Sequence, residues 1–542
     1  MPVRPRSDES TGIYSPTDGL DVSHPPITIA PGSTPASDNF VILDGALEPR
    51  PMLSLFTPST SQIQGPTPVM GMVGLQDVRN GRYIVWSGST RHAVYGLTTA
   101  PTSWSLLSYV SAGGISDPPF VTPNGGAWDY AQIYSAEADE NLLFMAPSSY
   151  QTLYVHHPDT TVFSSQTAGP RTRFLASLDN YLVAFNVREG GSDFPQRVRW
   201  TDRGSASSWT GGLSGQEDLL TMKGAGTRLV TQDNALVLFS DEEIWKGTPG
   251  GGVFVWNFAP YDQNRGCPYS WTIAPTPLGL MFLGKDYQVY LLPKGGGLAQ
   301  PVGQRLHREI RRTILNPERS WAVFDNTNGR YQLHYAVVGG SGQPQRAAYL
   351  DVDDGSWMPQ SFDSAGGTLS LTRGVEVQIP SSGTTWGGLQ ASGITWGGLQ
   401  AAATAWSDFY GAVGGNTVLV GSSRGTVYSL SSAGTSDNGT AVLCRYRTPG
   451  LLANDPAEQK TVREFRLAYQ GDSRSSITVD YSQTVGASSA VSNALSLVTA
   501  SVASQAIDYP YFGARYPTVE VSSEGFRYRL FQFFLTYVRG GR

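Results

Sequence analysis

The sequence predicts an all-β chain: a six- or seven-bladed β-propeller with an N-terminal extended arm and a C-terminal β-sandwich-type domain. Three observations predict it. The composition suits short strands and tight turns, one hairpin pattern recurs seven times, and the residues after 455 hold strand-like runs of another kind.

The composition sets the frame. Among 542 residues there are 62 Gly and 35 Pro, with 15% charged and 11% aromatic residues, a profile of strands joined by turns rather than of helices. A chain this long holds two or more domains, or one large all-β domain with an appendage. The net charge of −6 excludes the broad basic footprint of a dedicated nucleic-acid binder, so any DNA contact is expected to be local. Of the 38 Lys and Arg, only Lys223, Lys246, Lys285, Lys294 and Lys460 are lysine. GC-rich coding explains that bias more simply than selection for bidentate arginine contacts. Cys267 and Cys444 stand far apart with no CxxC and no neighbouring His cluster, which points to two buried thiols rather than a zinc site or a disulfide framework.

Residues 1–40 are rich in Pro, Ser and Asp with little apolar content and read as a flexible N-terminal arm. They lack the apolar core of a signal peptide, and no run in the chain reaches the length of a bilayer span.

Residues 41–450 carry the repeat. Its unit is a turn residue, an apolar strand, a small polar turn and a strand centred on Tyr or Trp. The seven copies lie at 81–95, 141–154, 180–200, 234–245, 278–290, 329–349 and 416–428. NALVLFSDEEIW (234–245) and NTVLVGSSRGTVY (416–428) show it most clearly. The tetrapeptide NGRY occurs at Asn80–Tyr83 and at Asn328–Tyr331, and Asn-Gly supplies the positive φ angles of a tight hairpin. A second aromatic often follows the hairpin, as in Tyr95 to Trp104, Trp245 to Trp256 and Tyr349 to Trp357. A lone hairpin sheet cannot bury two apolar faces, so such units are expected to stack radially around an axis, which also shields their edges.

Within this region, at about 380–410, WGGLQ is repeated and Trp386, Trp396 and Trp406 fall ten residues apart. Successive short turns, each anchoring a Trp and a Leu such as Leu389 and Leu399, fit the pattern. Either internal packing or presentation to another chain accounts for them. Residues 455–542 contain TVREFRLAYQ, SSITVDYSQ, TVEVSSEG and FRYRLFQFFLTYV and read as a separate C-terminal β domain.

One helix is expected, over 304–315. In QRLHREIRRTIL the residues Leu306, Ile310 and Ile314 form an apolar stripe, and Asn316-Pro317 ends the run. Arg305, Arg308, Arg311 and Arg312 occupy its other faces. They are the candidate partner or DNA contact, either as a solvated or subunit-paired face or as ligands of a phosphate backbone.

No catalytic site, metal site or cofactor is expected. WTDRGSASSW around Asp202, Gly204 and Trp209 approximates a sialidase Asp-box, but its Gly-to-Trp spacing is too long and Trp200 replaces the Ser; in DVDDGSW (351–357) Trp357 comes one residue early. Both read as turns closed by an aromatic. The latter also lacks the D-x-D-x-D-G pattern and distal Glu of a calcium loop. The histidines lack metal spacing, and neither a GxxxxGK[ST] loop nor a G-x-S-x-G elbow occurs.

The run 172–283 resembles the tail nozzle proteins of short-tailed bacteriophages, also called tail tubular protein B and related to the tail hub. The residues that carry it are Val198–Trp200 with Trp209, Ile244–Gly247, the Gly266-Cys267 step and Met281–Tyr290. The upstream segment NFVILDGALEPRPML (39–53) is similar to the family's "RpG" segment, with Met52 in place of the glycine. The resemblance implies a structural, non-enzymatic virion protein assembled in the host cytoplasm. Its partners would be five further copies in a sixfold ring, head-to-tail adaptor proteins, tail fibres or spikes and a tail tip or needle, with transient contact to genomic double-stranded DNA. Such a ring would lie below the portal, retain packaged DNA and conduct it during ejection. Closed rings need heterologous interfaces, and a conduit for sliding DNA should not be strongly basic. The competing expectations are a propeller glycan-binding protein or depolymerase acting on host polysaccharide, and a generic propeller scaffold.

Overall fold

The computed structural model describes residues 9–56, 68–77, 81–88, 91–96, 104–111, 114–116, 126–158, 160–205, 207–251, 254–362, 369–378, 416–431, 434–451, 458–471, 475–484, 487–498 and 500–539. Among them, seven sheets follow one another along the chain, each built on four antiparallel strands in up-and-down order. Ser108–Ser111 and Gly114–Ser116 extend the second, the former parallel to Val162–Gln166, and Gly19–Leu20, Ser33–Thr34 and Ile314–Leu315 join the sixth. Their innermost strands are Gly71–Asp77, Trp128–Ser135, Arg171–Leu178, Gly226–Gln232, Ala274–Thr276, Trp321–Asp325 and Leu371–Gln378. We number the sheets as blades one to seven in that order. The first and last inner strands lie side by side, so the blades close into a ring: the chain is an all-β propeller, with seven blades in the described residues.

Each of the seven sequence hairpins supplies the second and third strands of one blade. These second strands are mostly apolar, with Arg330, Gln332 and His334 of blade six as buried polar exceptions, because both their faces are buried. In Tyr181–Glu189, Leu182 and Ala184 face the seam with blade two, while Val183 and Phe185 face the seam with blade four. In Ala235–Ser240, Leu236 and Leu238 point toward blade three, and Val237 and Phe239 toward blade five. Seven apolar clusters fill the seven seams in this way, and an eighth fills the sandwich described below.

The ring is closed by its own N-terminal side. Met52–Leu55 forms the outer strand of blade seven, pairing antiparallel with Val427–Ser431 (Leu53 opposite Leu430). The blade is thus built from both ends of the ring segment.

The domain boundaries expected from sequence need correction. Residues 9–40 carry short strands paired to the rest of the fold, Glu9–Tyr14, Gly19–Leu20, Ser33–Thr34 and Ala36–Asp38, rather than a free arm. Glu9–Tyr14 pairs along Tyr528–Arg539, and Gly19–Leu20 pairs with Ser33–Thr34 and with Trp357 on the outer strand of blade six. Strand addition of this kind is secured by backbone hydrogen bonds and a few anchors, here Tyr14 and Leu20, so a composition poor in apolar residues does not reveal it. The C-terminal domain likewise does not stand on residues 455–542 alone. One of its sheets holds Ala500–Asp508, Lys460–Gly471 and Tyr528–Arg539 with Ala46–Pro49 and Phe40–Leu43; the other holds Ala36–Asp38, Leu443–Arg447, Thr518–Glu524, Ser475–Ser482 and Ser489–Leu497. Phe40, Leu47, Tyr446, Phe465, Tyr481, Val521 and Phe533 share its core. Both flanks of the propeller segment therefore complete the sandwich.

Propeller and sandwich are joined by a buried ion pair. Arg50 pairs with Asp437, and both side chains are inaccessible to solvent. The guanidinium also donates to Asn39 Oδ1 (3.1 Å), Pro51 O (2.9 Å) and Ser361 O of blade six (3.0 Å), and lies over the Phe362 ring. Asp437 Oδ1 accepts from the backbone of Leu53 in the closing strand (2.8 Å).

The Gly266-Cys267 step has a packing cause. A Cβ on Gly266 would sit 2.5 Å from the Asp241 carbonyl carbon, inside the turn of blade four, while Cys267 N donates to Ser240 O (2.8 Å) and the Cys267 side chain fills the seam of blades four and five. Gly266→Ala is therefore expected to destabilise the chain by about 1–3 kcal/mol through forced backbone displacement. A shift of the urea midpoint, with the m-value unchanged, measures it.

Candidate functional site

The expected helix forms as α1, Gln304–Thr313, between blades five and six. Leu306 and Ile310 are fully buried in the seam of those blades. The run leaves helical geometry at Ile314, which is extended and pairs with Val337; Asn316 then adopts a left-handed conformation before Pro317. The helix is two residues shorter than expected because Ile314 and Leu315 join a sheet edge.

Arg305, Arg308, Arg311 and Arg312 are all exposed. At 100° per residue they fall within an arc of about 120°, opposite Leu306 and Ile310, so the structure does bring them to one face. They differ in role. Arg305 donates to Asp18 O (2.8 Å) and holds the N-terminal segment. Arg308, Arg311 and Arg312 make no ion pair among the described residues, and the last two complement the helix C-terminal dipole. A helix pinned by two buried apolar residues thus presents three uncommitted guanidinium groups to solvent. Such groups can take bidentate contacts from carboxylates or phosphates.

Trp386, Trp396 and Trp406 lie outside the described residues. The two Asp-box-like segments are turns. Asp202 Oδ1 accepts from Arg203 N (2.9 Å) and Leu213 N (3.0 Å), with Gly204 at φ 68° and Trp209 buried in the seam of blades two and three. In 351–357, Asp354 accepts from Ser356 N (2.7 Å), and Trp357 is buried with its indole donating to Val302 O (3.1 Å). Among the described residues no group of three or more His, Cys, Asp or Glu is placed to hold a metal ion. Cys267 and Cys444 are buried free thiols, each pushed up to about 12 by burial.

A second feature was not foreseen from sequence. The inner strands of blades one, two, four, six and seven enclose an axial cavity of about 210 Å³, lined by Asp129, Arg228, Trp271, Trp321 and Arg373 among others. Arg228 pairs with the buried Asp129 at 2.7 Å, and the guanidinium carbons of Arg228 and Arg373 lie 4.4 and 5.1 Å from the Trp271 ring centroid. Asp129, Arg228, Trp321 and Arg373 stand on inner strands that the hairpin pattern does not include, and Trp271 stands on the short 3-10 turn Ser270–Thr272 just before blade five.

No protein-family model matches the chain, and no curated relative matches it. Solved structures that match the chain include three of low likeness. Raptor from Chaetomium thermophilum is 11% identical over 70% of this chain and 30% of its own, with a TM-score of 0.37. BamB from Moraxella catarrhalis is 8% identical over 67% of this chain and 98% of its own, at 0.32. The N-terminal domain of Nup159 is 9% identical over 77% of this chain and 99% of its own, at 0.36. The chain spans less than a third of the Raptor chain it matches. The propeller assignment stands on the strand order and ring closure above, and these likenesses carry no statement of function.

Proposed function

We propose that the chain is a structural subunit of a short-tailed bacteriophage tail, one copy of a sixfold nozzle ring that encloses the DNA channel below the adaptor and portal. Its role in that reading is mechanical: it retains packaged DNA and conducts it at ejection. Two things support the reading. The residues that resemble the nozzle family fold contiguously, as blades three to five, and its Gly-Cys step and Arg50 segment hold packing roles at a blade seam and at the join with the sandwich. The observation that carries it furthest is α1, whose free arginines form a fixed cationic face on a chain of net charge −6. A face of that kind suits an acidic surface on the next copy or adaptor, or passing contact with phosphate.

The test is quantitative mass spectrometry of purified DNA-filled particles. One copy per two portal subunits is the expected ratio; absence from particles overturns the proposal. For the helix, the variant with Arg308, Arg311 and Arg312 all changed to Ala is expected to keep its stability within about 0.5 kcal/mol, because exposed side chains rarely contribute more. Its incorporation into particles should fall at least tenfold. Incorporation at the wild-type level would remove α1 from the assembly contacts.

A further inference from the structure

Arg373 lies on the inner strand of blade seven and is 9% exposed. Among the described residues it has no carboxylate partner. Its one hydrogen bond is the donation from Nη1 to the adjacent Thr372 O (2.8 Å), and its buried Nε–H has no acceptor. The nearby carboxylate is already committed: Asp129 pairs with Arg228, its Oδ1 accepts from Tyr130 N (3.0 Å) and its Oδ2 from Leu175 N (2.8 Å). Two arginines and one carboxylate thus line one cavity, with a formal excess of one positive charge. Burial first, then the like charge of Arg228, pull the Arg373 guanidinium down to about 9, which leaves it protonated at neutral pH. A buried cation without a counter-charge is costly, and hydrogen-bonded pairing is what offsets that cost.

We propose that the axial cavity is a binding site for a small oxyanion, a single phosphate or carboxylate group, held by Arg373. Among the described residues the Nε–H of Arg373 faces no acceptor, and the same is true of Arg228, so each has a donor left for an anion oxygen. The planar indole of Trp271, against which both guanidinium groups rest, fixes their orientation. Arg373 also lines a smaller recess of about 40 Å³ together with Val69, Gly126, Arg319 and Pro344. The half-buried Arg319 there adds a second positive charge on the approach from the N-terminal ends of inner strands one, two and seven. A net positive, low-dielectric pocket concentrates anions. The site belongs to the single chain and does not depend on ring assembly.

The experiment is a thermal-unfolding titration of the full chain at constant ionic strength, with inorganic phosphate in one arm and acetate in the other. Saturable stabilisation by at least one of them is expected, as for any ligand that binds only the folded state, and the arm that responds identifies the anion class. Arg373→Met should weaken the effective anion at least tenfold, while Lys285→Ala, on an exposed hairpin turn of blade five, should leave the response unchanged. If Arg373→Met does not fold, Arg373→Lys serves, because it keeps the charge but not the fork and should also bind at least tenfold more weakly. No saturable response to either anion overturns the proposal, as does an undiminished response in the Arg373 variant.

Discussion

Asp437→Ala is expected to destabilise the chain by about 3–5 kcal/mol, the effect of leaving a fully buried cation without its partner. Arg50 has no solvent access, and its other acceptors, on Asn39, Pro51 and Ser361, are neutral oxygens that share the load without cancelling the charge. The same change removes the acceptor of Leu53 N, so the damage reaches the strand that closes blade seven. Urea unfolding followed by near-ultraviolet circular dichroism measures the loss. The paired replacement Arg50→Met with Asp437→Leu should recover much of it, because well-packed apolar groups of similar volume often substitute for a buried ion pair at little cost. An Asp437→Ala chain that unfolds at the wild-type midpoint would show that the pair does not join propeller to sandwich.

Trp357→Ala is expected to cost a similar amount, about 3–5 kcal/mol, but locally. The indole is 1% exposed in the seam of blades five and six, in the cluster that also holds Leu306 and Ile310. Its N–H donation to Val302 O ties the outer strand of blade six to the approach of α1. The cavity left by its removal should therefore loosen the arginine helix before it affects the sandwich. Hydrogen exchange reports this directly: amides of 304–313 should lose protection while those of 528–539 keep it. Equal loss at both places would mean that the seam and the sandwich unfold together and that α1 has no separate anchorage.

These two sites mark what a sequence can and cannot disclose about this molecule. The hairpins were legible because a strand buried on both faces, such as Leu182–Phe185, leaves a dense apolar signature. The helix was legible because Leu306 and Ile310 recur at helical spacing, and its four arginines came with it. Inner strands were not read. Neither Gly226–Gln232, which holds Arg228, nor Leu371–Gln378, which holds Arg373, alternates regularly between buried and exposed residues, and a lone arginine in a strand has no local mark that distinguishes a solvent-facing side chain from one aimed at the axis. The Arg50 pair is harder still, since its partners stand 387 positions apart. The N-terminal segment misled for a different reason: backbone pairing at a sheet edge places few demands on side-chain composition.

The closing strand also sets a schedule for making the protein. Ser54 and its neighbour Ser429 in blade seven are 375 positions apart, so during synthesis at roughly 5–20 residues per second Met52–Leu55 waits on the order of 20–75 s for its partner strand to be made. Through that interval blades can assemble in order from the first onward, yet blade seven stays unsealed and residues 9–14 and 36–49 have no sandwich sheets to join. Completion is thus late and in two steps, blade seven once Val427–Ser431 is made and the sandwich once Tyr528–Arg539 follows, and a ribosome that stalls before residue 427 leaves an open arc with unpaired edges.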